Sequence, residues 1–162
     1  MSIFFGENLI YRDLEFDSSK GVLEFLADSL YKEGFVKEGF KEAIIKREEE
    51  YPTAIPAEGP KIAIPHADHK LVKKAAIAIG ILKNSIDFHS MEEPENIIPV
   101  KIVIMLALDE PHGHIEMLQK IVTLIKNQKA KQAILKASSK EKIYEILEPI
   151  LRSEERRVGK SV

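Results

Sequence analysis

Five histidines, His66, His69, His89, His112 and His114, are the side chains of this chain best suited to reactive chemistry. Imidazole changes protonation near neutral pH and serves as proton carrier, metal ligand or nucleophile. His66 is the most telling, because Ile64-Pro65-His66-Ala67 sets it directly after an extended apolar run from Lys61 to Pro65. A proline cannot continue a strand ladder, so such a run ends there. The backbone then holds the histidine on one side and leaves the other for a partner. Two readings stay open: a reacting group, or a strand-end residue that bonds a carbonyl. His69 and His89 lie in charged, loop-like sequence and read as solvated surface histidines.

Asp109-Glu-Pro-His-Gly-His114 follows an apolar strand from Val100 to Leu108 and precedes a helix starting near Ile115. Carboxyl ends of central strands are favoured ligand positions in α/β sheets, and a helix N-terminus offers N–H groups and a favourable field to an anion such as phosphate. A histidine here suits phosphate chemistry; capping the helix is the alternative. Arg47 stands near the end of a second helix, in Arg47-Glu-Glu-Glu50. Its guanidinium matches phosphate oxygens, although a surface ion pair is the plainer role. Glu48 to Glu50 read as a solvated face, and Thr53 could donate one further hydrogen bond to a phosphate.

The elements around these residues are legible from spacing. Asn8 to Phe16 suits a short edge strand. Ser18 or Ser19 would cap a helix burying Val22, Leu23, Leu26 and Leu30, with Gly34 as its stop. The second helix is predicted from Lys37 to about Glu49, burying Phe40 and Ile44. Tyr51 to Pro60, with three prolines and a glycine, reads as a loop. Ile62–Pro65, Ala75–Leu82 and Val100–Leu108 read as strands, the last two covered on both faces. Helical spacing follows over Ile115–Ile125, Lys129–Lys136 and Lys140–Leu151, with Ser138 or Ser139 capping the last. Helices on both sides of a strand-rich middle predict an α/β fold, a single three-layer α/β/α domain. It is expected to span residues 1–152, and 153–162 reads as a disordered tail or an expression remnant.

With 162 residues, a chain can bury a core without staples. A formal net charge of -2 argues against nucleic-acid binding. No cysteine is present, which excludes disulfides and thiolate chemistry. The first residues lack a secretory pattern, and no apolar run approaches the roughly 20 residues that span a bilayer. A cytoplasmic protein is expected.

Arg47-Glu48, Tyr51-Pro-Thr53, Ile62-Ala-Ile-Pro-His66, the strand Val100–Leu108 and His114-Ile-Glu-Met-Leu118, taken in order, resemble the enzyme IIA domains of the bacterial sugar phosphotransferase system, of the fructose–mannitol type (EIIA type 2). The phrasing around Arg47 and Asp109 looks most like the galactitol subgroup. The resemblance covers about residues 5–151 and implies a mixed β-sheet flanked by helices. It implies that His66 accepts a phosphoryl group from the phosphocarrier protein HPr and passes it to a IIB component during uptake of a sugar or polyol. Arg47 would stabilise the phosphate and His114 would assist, with His112 a competing assignment. The donor is another phosphohistidine, so no metal or other cofactor is implied, and the membrane enters only through a IIC component. Ala54 departs from a glycine often found there, and Ile55–Pro60 departs from the usual spacing. A flat, apolar docking surface is expected, with Ile64, Ala67 and Leu108 at its rim.

Two rivals follow from the same residues. His66, His69, His112 and His114, with Asp68 or Asp109, could ligate the metal of a hydrolase, although the spacing matches no established zinc pattern. A nitrogen-regulatory relative would keep the fold and act by protein binding; the galactitol-like phrasing favours transport.

Overall fold

A computed structural model describes the backbone of residues 3–161 and the side chains of residues 3–111 and 115–152. A five-stranded sheet has helices on both faces. In chain order the elements are β1 (Ile10–Leu14), α1 (Ser19–Lys32), α2 (Phe40–Glu50), β2 (Ala54–Ile55), β3 (Lys61–Ala63), β4 (Ala76–His89), β5 (Ile97–Ala107), α3 (Pro111–Lys126), α4 (Gln128–Lys136) and α5 (Lys140–Ser161). The strand order is β1-β4-β5-β3-β2. β1 runs parallel to β4 and β3 parallel to β5, while the β4–β5 and β2–β3 pairs are antiparallel. The sheet is therefore mixed, and α1 and α2 cover one face while α3, α4 and α5 cover the other.

Local chemistry explains the boundaries. Ser18 Oγ accepts the Gly21 amide at 3.4 Å and caps α1. Gly34 follows that helix with a φ of 84°, a conformation open to glycine at little cost. Ser139 Oγ accepts the Lys142 amide at 3.2 Å, so Ser139 rather than Ser138 caps α5. Two strands differ from their sequence reading. The expected loop Tyr51–Pro60 contains β2, whose Ala54 and Ile55 pair with Ala63 and Ile62 of β3. β4 continues beyond Leu82 because Ile86 to His89 pair with Val100 to Ile97 across a register shift, with exposed Lys83 to Ser85 in between. The expected boundary at 152/153 falls where side chains are outside the described residues; the backbone of α5 continues to Ser161. Among the described residues no helix is long and apolar enough to cross a membrane.

Alternation along the strands sorts residues by size. Ala54, Ala63, Ala76, Ala78 and Ala107 face α1 and α2, whereas Ile62, Ile77, Ile79, Ile102 and Ile104 face α3 to α5. Small residues let the α1–α2 layer approach the sheet closely. At Gly80 an added Cβ would lie 3.0 Å from Leu14 Cδ1 of β1 and 3.5 Å from Leu26 Cδ1 of α1. Overfilling such a contact typically costs about 1–3 kcal/mol. Gly80→Val is expected to destabilise the fold by about that amount and Gly80→Ala by less. Urea unfolding of the two variants checks this; equal stability of Gly80→Val and wild type would show that the layer yields freely.

Candidate functional site

His66 lies beyond the carboxyl end of β3, beside the strand that runs parallel to it. Pro65 ends the β3 ladder, yet its carbonyl still accepts the Leu106 amide at 3.0 Å, and His66 forms a parallel bridge with Leu106. α3 begins shortly afterwards, at Pro111. The carboxyl ends of β3 and β5 and the start of α3 therefore share one end of the sheet.

The half-buried imidazole of His66 has a defined orientation. Its Nδ1 lies 3.0 Å from the Ile64 carbonyl. A carbonyl only accepts, so Nδ1 carries the proton and Nε2 carries the lone pair. Burial lowers the pKa of His66 below the usual 6.5, and the positive charge of Arg47 lowers it further, against the opposing effect of the Ile64 hydrogen bond. Near neutral pH the ring is a neutral imidazole with a basic Nε2, the form in which it is a nucleophile.

Arg47 is exposed in the last turn of α2, with its guanidinium carbon 4.8 Å from the centroid of the Tyr51 ring. Stacking uses the face of the guanidinium and leaves its donor edges in the plane. Its charge reaches both His66 and Asp68. Asp68 accepts the Lys70 amide at 2.9 Å, which chiefly holds its carboxyl below the usual range, and it pairs with His69 at 3.3 Å. His89 is exposed, as expected, and its Nδ1 lies 2.8 Å from the Pro94 carbonyl.

Three expectations need correction. Glu48 is not solvated: it is only 9% exposed, and its carboxylate accepts the Thr53 amide and the Thr53 hydroxyl, each at 2.9 Å. The signal was available, since Glu48 continues the helical register of the buried Phe40 and Ile44. Thr53 is itself buried, and its hydroxyl hydrogen is committed to Glu48 rather than offered to a phosphate. Thr53 meets the site through its carbonyl, which accepts the Ile64 amide at 3.3 Å. Ile64, Ala67 and Leu108 are not a docking rim but core residues, exposed by 4% or less, because they pack just beyond the strand ends into the two helical layers. Large apolar side chains that do reach solvent include Tyr51, Met91 and Ile115, besides Phe4, Tyr31, Ile97 and Val122. Ala54 is extended in β2, so its place in a position often held by glycine demands no left-handed backbone.

The side chains of His112 and His114 lie outside the described residues, and the choice between them with it. Among the described residues no three His, Cys, Asp or Glu side chains come together as a metal site.

Burial pushes the Glu48 carboxyl from 4.5 up to about 7, against the lowering effect of the two Thr53 hydrogen bonds and the His89 charge. The folded chain therefore binds this proton more tightly than the unfolded chain. The corresponding stability, about 3 kcal/mol, is fully present below about pH 4.5 and is lost as the pH rises through about 7. Glu48→Gln is expected to flatten the fall in stability across that window, in urea unfolding at about pH 5 and about pH 8. Parallel pH dependence in variant and wild type would show an ordinary carboxyl.

Residues 3–149 match the family profile of the phosphoenolpyruvate-dependent sugar phosphotransferase system, EIIA 2. The fructose-specific EIIABC component of Bacillus subtilis is 30% identical over 145 residues, 87% of this chain, which spans only 22% of that relative's length. The galactitol-specific EIIA component of Escherichia coli K12 is 30% identical over 113 residues, 69% of this chain and 75% of the relative. In the solved complex of enzyme IIAMTL and phosphorylated enzyme IIBMTL from Escherichia coli, a chain 20% identical superposes with a TM-score of 0.73, covering 90% of this chain and 98% of that one. A single profile running through both helical layers and the strand end that carries His66 places the chain in the phosphoenolpyruvate-dependent sugar phosphotransferase system EIIA 2 family.

Proposed function

We propose that this chain is a phosphoryl carrier that works through His66, receiving the group from phospho-HPr in the cytoplasm and delivering it to a IIB component during uptake of a sugar or polyol of the galactitol type. The observation that carries this reading is the ring of His66: Nδ1–H donates to Ile64 and the lone pair sits on Nε2. In the forward step Nε2 attacks the phosphorus of the donor phosphohistidine. A P–Nε2 bond forms as the donor's P–N bond breaks and its electron pair returns to the donor ring. Such a transfer needs in-line positioning and charge stabilisation more than covalent assistance. The Arg47 charge, already felt at His66, would balance the phosphoryl oxygens. Identity to the galactitol-specific and the fructose-specific relatives is equal, and the galactitol assignment leans on the larger share of that relative, 75%, that this chain spans.

His114 is the proposed assisting histidine. Its position precedes the buried Met117 and Ile121 at helical spacing, whereas position 112 shares its spacing with exposed Ile115 and Gln119.

Intact mass after incubation with phosphoenolpyruvate, enzyme I and HPr tests the acceptor. Wild type is expected to gain one acid-labile phosphate and His66→Ala none while staying folded. Phosphate on His66→Ala would remove His66 from the mechanism, and acceptance by wild type without onward transfer to IIB would favour a regulatory role. His114→Ala is expected to accept phosphate yet pass it to IIB poorly, with His112→Ala milder. The opposite ranking in a transfer assay would make His112 the assisting residue.

A further inference from the structure

Glu48 follows Arg47 in the last turn of α2, and Thr53 precedes β2. Between the end of α2 and Thr53 lie Tyr51 and Pro52, and Pro52 has no amide to donate. Across this gap the Glu48 carboxylate takes the Thr53 amide on Oε2 and the Thr53 hydroxyl on Oε1. The Thr53 carbonyl then accepts the Ile64 amide, and the Ile64 carbonyl accepts Nδ1–H of His66. A continuous chain of hydrogen bonds thus joins a buried carboxylate to the imidazole through the backbone of two residues. Its longest member is the 3.3 Å bond between Ile64 and Thr53, so displacement of Thr53 acts there first.

Arg47 and His66 belong to different elements, one on α2 and the other beyond β3. The Glu48–Thr53 clamp ties α2 to Thr53, whose carbonyl in turn holds Ile64 in the segment that carries His66. Resting on the phosphoryl-carrier reading of His66, we infer that Glu48 is a positioning residue for the transfer: by holding Thr53 it sets the separation and mutual orientation of the Arg47 guanidinium and the His66 ring. Glu48 touches no phosphoryl oxygen in this role. Its burial fits the assignment, because a two-pronged acceptor shielded from water holds its donors more firmly than a solvated one.

The test compares Glu48→Ala, Glu48→Gln and Thr53→Ala, each checked for a folded spectrum by circular dichroism. Glutamine retains the geometry: its Oε1 accepts the Thr53 amide and its Nε2 donates to the Thr53 hydroxyl. Two readouts are taken, the single-turnover rate of phosphoryl uptake from phospho-HPr and the nitrogen NMR signature of the His66 ring, which reports its tautomer and titration. Glu48→Ala is expected to lose about tenfold to a hundredfold in uptake rate and to mix the His66 tautomers. Glu48→Gln should recover most of both losses, and Thr53→Ala should fall between. Wild-type rate and ring signature in Glu48→Ala would overturn the positioning role alone, as would a loss in Glu48→Gln equal to that in Glu48→Ala. If Glu48→Ala does not fold, Thr53→Ala decides by the same two readouts. A wild-type protein that takes no phosphate would instead overturn the carrier reading, and this role with it.

Discussion

The bond from the Leu106 amide to the Pro65 carbonyl is the constraint on which the site depends. Pro65 brings the regular β3 ladder to a close, since it has no amide to contribute. The chain nevertheless stays registered on β5 for one further residue, and that residue is His66. The His66 side chain is thereby placed at the end of the sheet, held against β5, rather than on a free loop. Ile62 and Ile64 anchor one face of this segment and Ala63 and Ala67 the other, so the backbone beneath the imidazole is held from both layers.

Charge around the site is arranged by depth. Arg47 remains at the surface, supported by the flat Tyr51 ring, and keeps its hydration and its donors. Glu48, one residue on, goes inward and takes two hydrogen bonds from a single threonine. Burying a carboxylate is unfavourable unless its oxygens are satisfied, and Thr53 supplies that satisfaction from both its backbone and its side chain. Two adjacent charged residues of one helix turn therefore have opposite settings, one at the surface and one buried against Thr53.

Much of this was legible before the structure. The caps of α1 and α5 and the apolar registers of α1 and α3 follow from local spacing, and the Pro-His pair after an apolar run marks His66. What escaped the pattern is non-local. β2 consists of two residues that become a strand only because β3 lies beside them. Lys83 to Ser85 look like a loop but continue a strand whose partner is β5. Ile64, Ala67 and Leu108 are apolar in any reading, and only the layers above and below them decide that they are core. Glu48 is the instructive miss: in a run of three glutamates composition suggests solvent, while its register with Phe40 and Ile44 points inward.

The hydrogen bond from Nδ1 to the Ile64 carbonyl bears on the release of a phosphoryl group as much as on its capture. With the proton already on Nδ1, rupture of a P–Nε2 bond returns the ring as neutral imidazole. Without that proton the ring would depart as imidazolate, a far poorer leaving group. In the carrier role proposed for His66, one carbonyl two residues upstream of the histidine would thus keep the P–N bond easy to break.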